Sequence, residues 1–353
     1  MGTITFLLVL SFLVFFHELG HFLAARYFGV KVQVFSIGFG KKIYAKEWKG
    51  TVWQFALVPL GGYVKMKGQD DTKPGLVEEG KDSYNNKTPW QRIVILFAGP
   101  FANFILAAIL YFVIALAGAN SLSPTVGQIQ PNSPAQKAGI QVDDIILKIN
   151  DKDIKTWEDL GDYIKNSHGS LKFFIQRDGK TIAKTINPYI SDAQNIFKEN
   201  IKKRMIGISP APKIVTIYHN PISALGYAWD KTIESSKMIF LGVQKLIQGI
   251  IPSSEVGGVI SIGKVISDAS ESSIIALLAI TALISVNLGV LNLLPIPALD
   301  GGHIMFNLYE IIARRKPSDK VFMYLTLAGW VILASLMLLG IYNDINRIFL
   351  KGE

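Results

Sequence analysis

The sequence has no cysteine, only five histidines and few charged side chains. The absence of cysteine is compatible with an oxidising or a reducing compartment and therefore does not place the protein. Charged residues make up 18% of the 353 residues and hydrophobic residues 50%, which is more apolar than an ordinary soluble domain of this length. The shortage of charge directs attention to long apolar runs.

Four apolar runs are long enough to cross a hydrocarbon core, which needs about 20 residues in a helix. They lie at 4–25, 93–118, 274–299 and 321–342. The first run resembles a secretory signal peptide in length, but no basic region precedes it and no small-residue cleavage site follows it. We therefore predict a retained helix and four transmembrane spans.

The net charge of +9 raises the alternative of a nucleic-acid-binding protein, but no recognised nucleic-acid module accompanies it. The basic residues instead cluster beside the predicted spans. One cluster follows the first span and the other separates the third from the fourth: Arg26, Lys31, Lys41, Lys42, Lys46 and Lys49, and Arg314, Arg315, Lys316 and Lys320. Because short basic loops stay on the cytoplasmic side, both loops are predicted to be cytoplasmic and 120–273 extracytoplasmic.

The motif His17-Glu-Leu-Gly-His21 lies in the second half of the first span. Residues four apart share one helix face, so both imidazoles can bind one metal ion while Glu18 takes a proton from bound water. With five histidines, such a motif arises by chance on the order of 1% of the time. The alternative is a pair of interfacial histidines beside a snorkelling glutamate, but an ionisable cluster inside a span is costly and indicates function.

Asp300 is the candidate for a third metal ligand. It follows the third predicted span in Leu299-Asp300-Gly301-Gly302. If the first and third spans run in the same direction, their carboxyl ends lie on one side of the membrane, where the three side chains can converge. Taken alone, Asp300 would be read as a solvated carboxylate at a turn.

Three separated segments carry a resemblance to a known family: HELGH, FAGPFANF at 97–104 and NLLPIPALDGG at 292–302. In this order and spacing they resemble the site-2 protease family of intramembrane zinc metalloproteases, and within it the bacterial regulator-of-sigma-E branch, over nearly the whole chain. The resemblance implies Zn²⁺ bound by His17, His21 and Asp300, with Glu18 as catalytic base. It also implies that Asn287 and Asn292 bind substrate, whereas the plain alternative is hydrogen bonding between helices.

Two further segments suggest substrate handling. The β-rich arms 30–44 and 51–66 surround a polar turn and, by the resemblance, form a membrane-associated β-loop that pairs with an extended substrate; the alternative is an ordinary cytoplasmic hairpin. Segment 120–212 contains predicted strands at 126–129, 144–149, 171–177 and 180–186 and resembles a PDZ domain, or else a β-rich module without a ligand.

The predicted divisions are 1–119, 120–212, a connecting segment at 213–273 and 274–353. Within the connecting segment, 238–251 is predicted to be an interfacial or re-entrant amphipathic helix, because about 14 residues interrupted by Gln244 and Lys245 are short for a crossing. A crossing there would put Asp300 on the other side of the bilayer from the histidines. Asn103 is interpreted as a packing residue of the second span. His303 is interpreted as a residue outside the ligand set, since a catalytic zinc site keeps three protein ligands and a water.

The fold class predicted is a polytopic α-helical membrane protein with four transmembrane helices, a membrane-associated β-loop and one inserted extracytoplasmic PDZ-like α+β domain. It is expected in the bacterial inner membrane, with its active site near the cytoplasmic side. The expected function is zinc-dependent cleavage of single-span membrane proteins. Its expected partners are those substrates, the bilayer and a peptide ligand of the PDZ-like domain, without nucleic acid. A transporter or channel and a catalytically idle scaffold are the alternatives.

Overall fold

The computed structural model describes residues 2–69, 80–197 and 199–350. The chain divides into two compact units, Ala115–Asn220 and the remainder. The helices in chain order are α1 (Gly2–Tyr27), α2 (Pro89–Ala117), α3 (Pro134–Lys137), α4 (Trp157–Asn166), α5 (Pro221–Ile247), α6 (Val259–Ser272), α7 (Ile274–Asn292), α8 (Asp300–Ala313) and α9 (Asp319–Leu350). The strands are β1 (Val32–Trp48), β2 (Thr51–Met66), β3 (Ala119–Leu122), β4 (Val126–Ile129), β5 (Ile145–Ile149), β6 (Lys152–Asp153), β7 (Leu171–Arg177), β8 (Lys180–Ile186), β9 (Tyr189–Gln194), β10 (Asn200–Met205), β11 (Ile208–Pro210) and β12 (Ile214–Ile217).

Helices α1, α2, α7 and α9 are long and apolar enough to cross a membrane, and they correspond to the four predicted spans. The predicted end of the third span, at residue 299, is wrong. Helix α7 ends at Asn292, and α8 begins separately at Asp300. Pro295 and Pro297 lie between the two helices and lack the N–H that a continuing helix requires. The predicted bound was too late because the sequence stays apolar up to Leu299.

Helix α5 is longer than the amphipathic helix predicted at 238–251. It starts at Pro221, a residue type suited to a first helical turn, and ends at Ile247. Ala224, Ala228 and Thr232 are its buried residues, and their spacing of four places them on one face. The helix predicted from the apolar run alone therefore starts 17 residues too late, at 238 rather than at Pro221. In the described part of the chain, α5 is not among the helices that meet the criteria for a span.

Strands β1 and β2 pair with one another, and each strand is bent into two pairing segments. Segment 32–37 of β1 pairs with both 52–55 and 62–66 of β2, while 42–48 pairs with 51–56. The order across the sheet is therefore 42–48, 51–56, 32–37 and 62–66. Segment 62–66 is an edge, and the apolar residues Phe35 and Trp53 pack against Phe22 of α1.

The unit Ala115–Asn220 contains a four-stranded sheet of order β6-β5-β7-β8. The four predicted strands coincide with β4, β5, β7 and β8 to within one residue, and Asp178 and Gly179 form the β7–β8 turn with φ of 50° and 75°. The core of this unit includes Ile146, Leu160 and Phe173. Arg177 of β7 donates a hydrogen bond of 2.7 Å to the buried carboxylate of Asp144, just before β5, and this bond raises the pKa of the guanidinium.

Candidate metal centre

The side chains of His17, His21 and Asp300 converge. The two Nε2 atoms lie 3.3 Å apart, and Asp300 Oδ2 lies 3.4 Å from His17 Nε2 and 3.5 Å from His21 Nε2. The histidines come from successive turns of α1, and the aspartate is the first residue of α8. Two positions of the HELGH motif thus meet a residue from the other end of the chain.

The three atoms have the spacing that a zinc ion requires. Ligands about 2.0–2.1 Å from a tetrahedral Zn²⁺ lie about 3.3–3.4 Å from one another. The three measured separations, 3.3, 3.4 and 3.5 Å, match that geometry. Two imidazoles and one carboxylate are also the donor types found in catalytic zinc sites, which leave one position open.

The far nitrogens of the imidazoles are held by α2. His21 Nδ1 donates to the Ile95 carbonyl at 2.8 Å, so in the neutral imidazole Nε2 is the unprotonated nitrogen, and Nε2 lies in the cluster. His17 Nδ1 lies 3.2 Å from the Asn103 side-chain amide. The Asn103 oxygen is buried without a partner, so a half turn of the amide lets it accept the Nδ1 proton and frees His17 Nε2 in the same way.

Two glycines allow α1 and α2 to approach closely at this point. A Cβ atom on Gly20 would overlap the Ala98 carbonyl, and one on Gly99 would overlap the His21 imidazole. On the other side of the site, Gly301 and Gly302 pack against the carbonyls of Leu293 and Ile296. Glycine is therefore required sterically both in the FAGP segment and after Asp300.

Glu18 and the cluster line a cavity of about 220 Å³. The backbone N–H of Val64, in edge segment 62–66, donates to the Glu18 carboxylate. A Cβ atom on Gly62 would lie 3.3 Å from Glu18 Cγ, so this edge comes close to α1. The other lining residues are Tyr63, Met66, Gln69, Leu96, Asn292, Ala298 and Leu299.

Comparison with known proteins identifies the family of the chain that carries this centre. The model of peptidase family M50 matches residues 5–336. The chain belongs to peptidase family M50, the site-2 protease family. Three M50 relatives illustrate the match: a Campylobacter jejuni protein named as a zinc metalloprotease (49% identity; 97% of this chain and 92% of the relative), metalloprotease MmpA of Caulobacter vibrioides (34%; 98% and 95%) and the regulator of sigma-W protease RasP of Bacillus subtilis (29%; 98% and 99%).

Membership of family M50 makes the protein a zinc-dependent membrane metalloprotease, as the resemblance implied. Among the residues singled out in the sequence of this M50 protease, Asn292 lines the cavity, whereas Asn287 lies on α7 outside the lining set. The His303 ring packs against Phe306 and Phe322.

Asn103 does more than the packing role read from the sequence. Its carbonyl accepts from Ser285 of α7, and its side chain contacts His17. A lone amide within an apolar span was the available signal. The Ile95 carbonyl and the Val64 N–H had none, because backbone groups carry no sequence signature.

Proposed function

We propose that this M50 protease is an intramembrane endopeptidase, with zinc held by His17, His21 and Asp300, that cleaves transmembrane segments of single-span membrane proteins. The observation that supports this proposal most strongly is the position of the cluster, whose two histidines lie on the candidate span α1. The three side chains have zinc-ligand spacing and are each 17% or less exposed. A site at that place acts on chain that enters the bilayer. Anti-sigma-factor-like proteins and residual signal peptides are substrates of this class.

Glu18 is the proposed catalytic base. Bound zinc would polarise the scissile carbonyl and lower the pKa of a water toward about 7. Glu18 follows His17 in the sequence and lines the same cavity, so its carboxylate accepts the proton of the attacking water and returns it to the leaving amine. The Val64 N–H holds one side of this carboxylate and orients it.

Edge segment 62–66 is the proposed substrate-binding strand. A peptide bond inside a helix is shielded by its own hydrogen bonds, so the substrate must unwind before it is cut. Because the Val64 N–H points to Glu18, an extended substrate added to this edge lies beside the base. Asn292 lines the cavity and is the proposed amide donor to the substrate or the developing oxyanion. Asn287, which lies five residues before Asn292 in α7, is assigned a substrate contact on family resemblance alone.

The proposed location is the bacterial inner membrane, with the zinc site near the cytoplasmic face. The proposed domain divisions of the chain are 1–119, 120–212, 213–273 and 274–353. The basic residues after α1 and before α9 support this orientation. Segment 120–212 is proposed to be a PDZ-like domain with a peptide ligand. A groove of about 150 Å³ supports this proposal, since its lining includes Leu160 and Ile164 of α4 together with Ile206 and Ile208.

Purified protein incubated with single-span model substrates tests the proposal, with Glu18→Gln as the comparison. We expect the wild type to cut within the substrate span only when zinc is present. Glu18→Gln is expected to bind zinc normally and to lose cleavage, because the amide cannot take a proton. Equal cleavage by the two proteins would refute the assigned base, and cleavage only outside the span would refute the substrate class.

A further inference from the structure

A largely buried ion pair, which the proposed mechanism does not use, joins α2 to α8. Arg92 Nη2 donates to Glu310 Oε2 at 2.8 Å, and the two side chains are 10% and 17% exposed. Arg92 Nε also donates to the Lys87 carbonyl at 3.2 Å. The guanidinium therefore ties the beginning of α2 to the last part of a helix that lies more than 200 residues later in the chain.

Each of the two helices holds one component of the cluster. Ile95, less than one turn after Arg92, accepts the hydrogen bond that orients His21, and Gly99 packs against the same imidazole. Glu310 lies on the helix that begins with Asp300, about 15 Å along its axis. The ion pair thus connects the helix that orients His21 to the helix that carries Asp300.

Stability does not explain why this pair is ionic. Removing two charges from water is costly, and a well-packed apolar pair of similar volume is often as stable. An ion pair differs from an apolar contact in fixing direction, because a hydrogen bond of 2.8 Å tolerates little sliding. At its other end α8 is attached through the turn that contains Pro295 and Pro297, so the pair is a second and distant point of attachment.

We propose that Arg92 and Glu310 are positioning residues for the zinc site, which hold α8 against α2 so that the Asp300 carboxylate meets the two histidines. The inference rests on the ligand set proposed above. Neither residue touches zinc or substrate. Losing the pair leaves all three ligands present but lets α8 shift about its proline turn, which moves Asp300 out of zinc-binding distance for part of the time.

Glu310→Gln is the test, because the amide keeps the shape but loses the charge that makes the hydrogen bond from Arg92 short and strong. We expect about tenfold weaker zinc binding in chelator competition, by analogy with the loss of outer-sphere partners. We also expect a lower kcat with KM unchanged, since the substrate edge at 62–66 belongs to another element. Glu234→Gln is the matched control: it makes the same change in an ion pair of the same 2.8 Å length, half exposed on α5, and should alter neither quantity.

The double variant Arg92→Leu with Glu310→Met separates positioning from folding, because it leaves no buried charge unpaired. It should melt close to the wild type and still bind zinc about tenfold more weakly. Wild-type zinc affinity in either Glu310→Gln or the double variant would overturn the inference. Asp300→Ala tells this failure from a failure of the ligand set: unchanged zinc binding there removes Asp300 itself, whatever Glu310→Gln does.

Discussion

Replacement of Gly99 by alanine gives the sharpest test of how the histidines are placed. The added Cβ atom would lie 2.5 Å from His21 Cε1 and 2.7 Å from Cδ2, whereas ordinary van der Waals contact begins at 3.4 Å. The imidazole must therefore retreat by at least about 0.9 Å, the difference between 3.4 and 2.5 Å, since the proposed ligand atom Nε2 lies closer still to the added Cβ. Its Nδ1 bond to Ile95, at 2.8 Å, resists that movement.

A retreat of this size exceeds what a zinc site accepts, because ligand distances are held to within about 0.2 Å. We expect zinc binding to weaken about 10- to 100-fold, or about 1.4–2.7 kcal/mol, with cleavage falling at least as far. The measurement is a zinc dissociation constant by chelator competition, together with cleavage of a single-span substrate at saturating zinc.

Gly226→Ala is the control for this change. Gly226 lies within α5, and no atom lies within 4 Å of its added Cβ. It should gain helix stability of about 1 kcal/mol and keep its zinc affinity. If Gly99→Ala binds zinc and cleaves as well as Gly226→Ala, the close contact between α2 and the His21 ring has no part in placing the ligand.

Two further predictions concern stability and topology. Asp344→Ala leaves the N–H groups of Gly258, Ile260 and Ser261 at the start of α6 without their acceptor. We expect thermal melting to show a loss of stability of about 2–4 kcal/mol, whereas Asp268→Ala, at an exposed position of α6, should melt like the wild type. Equal melting of the two variants would contradict the role of Asp344 as the cap of α6. A probe attached at Asn150 should react from the extracytoplasmic side, and cytoplasmic labelling would overturn the orientation.

Patterns within a single element predicted much of the architecture. His17 and His21 could be paired because a helix repeats every 3.6 residues, and Asp300 could be added because parallel spans end on one side. The β7–β8 hairpin followed from Asp178-Gly179, a pair that accepts positive φ.

Features that depend on long-range contact or on backbone atoms were not predicted. The apolar run up to Leu299 set the predicted end of the third span too late, although Pro295 and Pro297 indicated a break in the helix before Asp300. The polar residues before Met238 concealed the start of α5. The Ile95 carbonyl, the Val64 N–H and the partner of Arg92 are set by packing between distant segments, which single-sequence periodicity does not report.

The separation of the proposed ligands along the chain has a consequence for biosynthesis. His17 and His21 enter the membrane with the first helix, but Asp300 is synthesised only after the two intervening candidate spans and the unit Ala115–Asn220. A chain still on the ribosome therefore carries two of the three ligands and lacks the helix that supplies the third. The proposed zinc site therefore stays incomplete until synthesis has passed α7 and reached the start of α8.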